Sequence, residues 1–234
     1  MSSSFLRAEK IGMRFGGLQV LSDIDLEIGE RSLTAIIGPN GAGKSTFLNV
    51  LTGVLRPTEG VVAFRGQAIG GLPLHRIARL GIARKFQIPS IFSSLTVVEN
   101  LQVARWGSAR TEWPEDELLE MIGLRDRRSV QGAELAHGEK QWLEIGMAIA
   151  SSPTLLLLDE PTAGMTPQET ADTAALIHRL NKKLAVIAVE HDISFVRALG
   201  ADTLVLHQGR FFRQGPFAEI EADEAVRDVY LGRR

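Results

Sequence analysis

Gly38-Pro39-Asn40-Gly41-Ala42-Gly43-Lys44-Ser45-Thr46 is the stretch whose reading decides the fold of this chain. It has the form G-x-x-x-x-G-K-[ST]. Upstream, Ser32-Leu33-Thr34-Ala35-Ile36-Ile37 is a short apolar run with β-branched residues, which predicts a buried strand. Downstream, Phe47–Leu51 reads as a helix that Gly53 is placed to end. Small residues let the backbone curl so that successive N–H groups face phosphate oxygens, and the helix adds the positive end of its dipole. Lys44 is expected to reach the β/γ-phosphates and the Ser45 hydroxyl to coordinate Mg²⁺. A glycine-rich turn that matched by accident would not also bring strand, Lys-Ser pair and helix into register. The stretch therefore predicts a nucleoside triphosphate site.

The rest of the composition fits a compact, water-exposed protein. At 234 residues the chain exceeds one typical domain, so a large domain or a core with a subdomain is expected. Hydrophobic residues make up 44%, enough for a substantial core. With 26 basic and 28 acidic residues the net charge is −2, so no global field draws nucleic acid, and Arg125-Asp126-Arg127-Arg128 reads as solvated surface. The absence of cysteine excludes disulfides and thiolate metal sites. Met1–Arg7 lacks the apolar run of a signal peptide, and Leu155–Leu158 and Leu184–Val189 are far too short to span a bilayer. Any membrane association is expected to come through a protein partner.

Along the chain there is no repeat or linker that would separate independent domains. The N-terminal part reads β-rich, with alternation over Leu18–Ile28 and a strand at Val61–Phe64; a helix over Pro73–Leu80 stops at Gly81, and Ile82–Phe86 reads as a strand. Residues 87–150 read as a mainly helical insert. Thr96-Val97-Val98-Glu99 is a capping box, Glu115–Ile122 ends at Gly123, and a helix over Gly138–Ser151 is stopped by Pro153. Strand and helix then alternate: Leu155–Leu158, Pro167–Leu180, Leu184–Val189, Ile193–Leu199, Thr203–His207. Gln208-Gly209 reads as a hairpin turn and Glu224–Tyr230 as a closing helix. Such alternation implies an α/β class with a parallel sheet that carries its ligand at the carboxyl ends of the strands.

Leu155-Leu156-Leu157-Leu158-Asp159-Glu160 is a buried strand ending in two acids. A buried charge is costly unless it meets a cation, so beside a phosphate loop these acids want a metal-bound phosphate. Asp159 suits Mg²⁺ held through water, and Glu160 suits a base for the attacking water. His191 follows a third strand, where its imidazole can hydrogen-bond a γ-phosphate. Asp192 is more simply a helix N-cap. Gln87, at the entry to the insert, has an amide oxygen that reaches a metal from a junction suited to sensing. Phe15, in Arg14-Phe15-Gly16-Gly17, is either a core aromatic or a stacking platform for adenine.

Taken together, these residues resemble the ATP-binding cassette ATPases over almost the whole chain. The phosphate loop Gly38–Thr46, Gln87 as the Q-loop residue, the strand Leu155–Glu160 and His191 as the switch histidine carry the resemblance. The family signature L-S-G-G-Q stands here as Leu135-Ala136-His137-Gly138-Glu139. The resemblance implies one cassette domain over 1–234. Its core with an antiparallel β subdomain would span 1–86 and 151–234, and a helical signature subdomain 87–150. It also implies ATP and Mg²⁺ as cofactors, with Ser45, Gln87 and Asp159 toward the metal. Glu160, His191 and Gln87 are implied in hydrolysis. Phe15, the phosphate loop and Ala136, His137, Gly138 and Glu139 are implied in nucleotide binding. In this family two cassettes bind two ATPs head to tail, each signature helix N-terminus capping the phosphate its partner holds.

More narrowly, Arg84-Lys85-Phe86-Gln87, Ala136–Met147, Ala163-Gly164-Met165-Thr166 and Val229-Tyr230-Leu231-Gly232 are similar to ATPase subunits of branched-chain amino-acid and urea importers, the urea branch most. This implies permease subunits as partners on the cytoplasmic face of the inner membrane, docked near Gln87. It also implies an external solute-binding protein acting indirectly. Three departures stand out. Ala136 removes the signature hydroxyl, a hydrogen bond of about 0.5–1.5 kcal/mol. Glu139 places a negative charge near ATP but at a helix start. Thr166 replaces the usual D-loop aspartate and opens a capping box, Thr166-Pro167-Gln168-Glu169. Trp142 is expected to pack within the helical insert rather than to dock a partner. A soluble cassette ATPase of DNA repair or translation would commonly carry paired cassettes or a basic surface, and a small-molecule kinase would leave the signature and His191 unexplained.

Overall fold

The computed structural model describes residues 5–85, 90–106 and 112–231. The chain opens with β1 (Leu6–Phe15) and β2 (Leu18–Ile28), antiparallel from Leu6↔Ile28 to Phe15↔Leu18. Then come β3 (Leu33–Ile37), α1 (Lys44–Leu51), β4 (Glu59–Phe64), β5 (Gln67–Ala68), α2 (Leu74–Leu80) and β6 (Ile82–Lys85). Three helices follow, α3 (Val97–Arg105), α4 (Glu115–Met121) and α5 (His137–Ala150). The remainder is β7 (Leu155–Asp159), α6 (Pro167–Asn181), β8 (Ala185–Glu190), α7 (Ile193–Leu199), β9 (Asp202–His207), β10 (Arg210–Pro216), α8 (Phe217–Ala222) and α9 (Glu224–Leu231). The strands form a four-stranded antiparallel sheet ordered β2-β1-β4-β5 and a six-stranded sheet ordered β10-β9-β3-β8-β7-β6, parallel except for β10.

The period-two rule for strands divides the core. On β7, Leu156 and Leu158 enter one apolar cluster while Leu155 and Leu157 enter the other; on β8, Val186 and Ala188 part from Ala185, Ile187 and Val189. The first cluster takes up Leu101 of α3, Leu118 of α4, Leu143 and Ile149 of α5, and Ile177 of α6. The second holds Phe47, Leu48 and Leu51 of α1 together with Ile11, Leu21 and Val62 of the small sheet. Strands buried on both faces read as unbroken apolar runs, and Leu155–Leu158 is such a run. Helix α1 thus lies between the two sheets, and the signature helix α5 lies across the opposite face.

Parallel pairing brings the strand ends to one edge. Ile37 lies opposite Glu190, Asp159 opposite Val189, and Lys85 opposite Leu158. Punctuation follows the sequence closely: Thr96 and Thr166 each form the capping box with Glu99 and Glu169, and Gly81 and Gly123 end their helices at positive φ. Helix α1 begins earlier than Phe47, at Lys44, because Gly43 in the left-handed region is already its N-cap. Helix α8 and the two-residue β5 went unforeseen; both are too short to show a period. Trp142 packs, as expected, against the apolar cluster that the insert helices share, and its Nε1 also donates to Thr173 Oγ1 on α6 at 2.9 Å, which ties the signature helix to the core.

Candidate functional site

Residues 38–46 wrap the start of α1 at the carboxyl end of β3. Gly43 has φ 103°, and a Cβ there would lie 2.8 Å from Leu21 Cδ2 and 3.1 Å from the Val20 carbonyl oxygen, so no side chain fits this turn. Among the described residues no side chain caps α1, which leaves its leading amides for an outside acceptor. Asn40, Gly41, Ala42, Gly43, Lys44, Ser45 and Thr46, with Val20 and Glu160, line a cavity of about 320 Å³. Lys44 is buried, and its Nζ donates to the carbonyls of Gly38 at 2.7 Å and Pro39 at 3.1 Å. Burial pushes its pKa down, against the pull of Glu160, Asp159 and Glu190 in the opposite direction. A poorly solvated ammonium facing an open cavity is a receptor for anionic oxygen.

Asp159 ends β7, nearly wholly buried, and its Oδ2 is 2.8 Å from Arg84 Nη2. The same guanidinium reaches Asn49 Oδ1 at 2.5 Å and Thr52 Oγ1 at 3.4 Å on the α1 side. One carboxylate oxygen is therefore tied to β6, which fixes the carboxylate plane. Glu160 follows at φ 47°, its amide donating to the Val189 carbonyl at 2.9 Å. His191 Nδ1 stands 3.4 Å from Glu160 Oε1. The carboxylate of Glu190, 1% exposed, accepts from Thr162 N at 3.1 Å, Thr162 Oγ1 at 2.8 Å and His191 N at 3.1 Å. Desolvation pushes the Glu190 carboxyl pKa up, and these donors pull it back only in part.

Phe15 is 47% exposed at the tip of the β1–β2 hairpin, which removes the core alternative and leaves a ring available for stacking. Gln87 lies outside the described residues. The signature residues sit at the head of α5. Ala136 is its N-cap and offers no side-chain acceptor; Glu139 Oε2 accepts from Ala136 N at 2.9 Å, and Glu139 Oε1 is 3.1 Å from Arg127 Nε. The negative charge of Glu139 is thus placed where the helix dipole and an arginine favour it. His137 Nε2 is 2.8 Å from the Ala163 carbonyl, and a Cβ on Gly138 would meet Glu169 Oε1 at 2.2 Å. The signature and the segment after Glu160 therefore lean on each other within one chain. The sequence reading missed Arg84, Lys85, Glu144 and Glu190 as parts of this edge. For the first three the cue was a charge at a position that strand or helix period buries.

Comparison with known proteins agrees with this geometry. The family model for ABC transporters matches residues 21–163. The chain is 36% identical over 99% of both chains to LivG, a high-affinity branched-chain amino acid transport ATP-binding protein of Salmonella typhimurium. It is equally similar to BraF of Pseudomonas aeruginosa, a protein of the same description. Among solved structures, the ADP conformation of MJ1267, an ATP-binding cassette of an ABC transporter, superposes with a TM-score of 0.88 at 28% identity. It covers 98% of this chain and 99% of that one. A matched family model over more than half its length, end-to-end similarity to transport ATP-binding proteins and a cassette fold throughout make this chain a member of the ABC transporter family, an ATPase of the cassette type.

Proposed function

We propose that this chain is the ATP-hydrolysing subunit of an importer for branched-chain amino acids. The observation that carries the reading is its end-to-end similarity to LivG and BraF, together with the intact cavity around Lys44 and Glu160. These relatives favour the branched-chain alternative over the urea reading that the sequence motifs suggested first. The whole chain, 1–234, acts as one cassette domain, with residues 87–150 as its signature subdomain. It works on the cytoplasmic face of the membrane, attached through permease subunits, and an external binding protein selects the solute. Among the described residues no helix is long and apolar enough to cross a membrane.

In this reading the α1 amides and Lys44 hold the β- and γ-phosphates, and Phe15 carries the adenine ring. The Ser45 hydroxyl and the Asp159 carboxylate are hard oxygen donors that suit Mg²⁺, with Gln87 as a further donor. When bound, that ion neutralises charge on the phosphates. Glu160 takes the proton of the attacking water at a carboxylate oxygen, and His191, within 3.4 Å of Glu160, donates toward the γ-phosphate. A second cassette supplies the head of its own α5 to cap that phosphate. Ala136 and His137 are exposed at this head and present amides without the usual serine hydroxyl.

Deleting the chain and measuring uptake of labelled leucine and labelled urea at low external concentration tests the assignment. Loss of leucine uptake with urea uptake intact is expected. The reverse pattern would return the chain to urea import while leaving the ATPase reading in place.

A further inference from the structure

Glu190 has no part in the mechanism above, yet it sits at the centre of the site. It ends β8 one residue before His191, and its side chain is 1% exposed. Burying a carboxylate is expensive unless fixed donors replace water. Here they come from two directions. Oε1 accepts from both the amide and the hydroxyl of Thr162, and Oε2 accepts from the amide of His191.

Thr162 lies two residues beyond Glu160, and Glu160 is itself in a conformation that non-glycine residues avoid, φ 47°. Such a residue keeps its conformation only where its surroundings over-determine it. Among the described residues, two of the ties that do so originate in the last two residues of β8. The Val189 carbonyl accepts from Glu160 N at 2.9 Å, and the Glu190 carboxylate holds Thr162. The turn from 160 to 162 is thereby pinned at both ends to the strand that delivers His191.

We propose that Glu190 is a positioning residue for hydrolysis: its carboxylate locks Thr162 to the His191 backbone and so keeps Glu160 turned toward the cavity beside Lys44. This rests on the reading of Glu160 as the base. Glu190 needs no contact with nucleotide. Its effect falls on the chemical step more than on binding, because the Gly38 and Pro39 carbonyls hold Lys44 Nζ and Glu190 is the weakest of the three carboxylates that act on it.

The test compares Glu190→Ala, Glu190→Gln and Thr162→Val in the full chain, with Glu160→Gln as a benchmark. MgATP hydrolysis, ATP affinity by calorimetry and thermal melting are measured on each. Glu190→Ala loses every acceptor and is expected to slow hydrolysis by roughly 10- to 100-fold while ATP affinity changes far less. Glu190→Gln keeps one oxygen but turns an amide N–H₂ toward another donor, so it should fall between Ala and wild type. Thr162→Val should slow hydrolysis less than Glu190→Ala, and combining the two should cost less than the product of the single effects. If Glu190→Ala does not fold, the Gln and Val variants carry the test alone. Folded Glu190 variants that hydrolyse at the wild-type rate, lose ATP affinity in step with rate, or combine additively with Thr162→Val would overturn the proposal. A wild-type rate in Glu160→Gln would instead overturn the reading of Glu160 itself.

Discussion

Lys85 of β6 and Glu144 of α5 form an ion pair, Nζ to Oε2 at 3.5 Å, with side chains 1% and 4% exposed. The other Glu144 oxygen accepts the Ser90 amide at 2.5 Å, so one carboxylate on the signature helix grips the chain just before and just after residues 86–89. Its neighbour Arg84 leaves the strand on the opposite face, toward Asp159. Strand β6 is thus bound on one side to a candidate metal carboxylate and on the other to the helix that carries the signature.

Breaking that pair should be costly because it strands a buried charge. Lys85→Met is expected to destabilise the fold by about 3–5 kcal/mol. Adding Glu144→Gln, which removes the orphaned charge but keeps an acceptor for Ser90, should recover most of the loss. Urea denaturation of the single and double variants measures both. Equal stability of the two would mean that water or another group satisfies Glu144.

Lys44 supplies the charge inside the phosphate loop. Lys44→Ala is expected to weaken ATP binding sharply while the melting transition stays cooperative. Calorimetry on the folded variant checks this, and undiminished affinity would remove the basis for placing nucleotide here.

Glu160→Gln keeps size and hydrogen bonding but removes the carboxylate proposed as the base. Hydrolysis should slow by roughly 10²–10⁴-fold while ATP still binds. His191→Ala should likewise lower the rate more than the affinity. Equal loss of both would identify a histidine that only supports the fold.

Burial of Lys44 makes a prediction about pH. Its folded pKa lies below the ordinary value of 10.5, chiefly through desolvation. Between the lowered value and 10.5 the unfolded chain binds more protons than the folded one, so this residue's contribution to stability rises with pH there. Below that window both states are protonated and the contribution is flat. In nucleotide-free protein, the stability difference between wild type and Lys44→Met should therefore shift toward wild type as pH approaches 10.5. Chemical denaturation at a series of pH values measures the difference, and a constant difference would show that the ammonium is well solvated.

What the sequence determined alone is contiguous or periodic. The nine residues from Gly38 to Thr46 carry their chemistry in one stretch, and Leu155–Glu160 declares a strand buried on both faces by its lack of alternation. Thr96 with Glu99 and Thr166 with Glu169 announce helix starts because capping acts over three residues. Such signals need no knowledge of the rest of the chain.

The tertiary structure alone decided which charges meet. Arg84 and Asp159 stand 75 positions apart and touch only because β6 and β7 pair in parallel with Lys85 opposite Leu158; a slip of one residue would turn Arg84 to the other face. Glu190 reads as an ordinary strand end until the register of β7 and β8 brings Thr162 onto its carboxylate. Phe15 had two readings, and only its place at a hairpin tip removed the core one. Trp142 gained a polar partner on α6 that no local signal announced. Local bonding writes itself into neighbouring residues. Register and helix packing arise from the whole core, so they become visible only when the chain is folded.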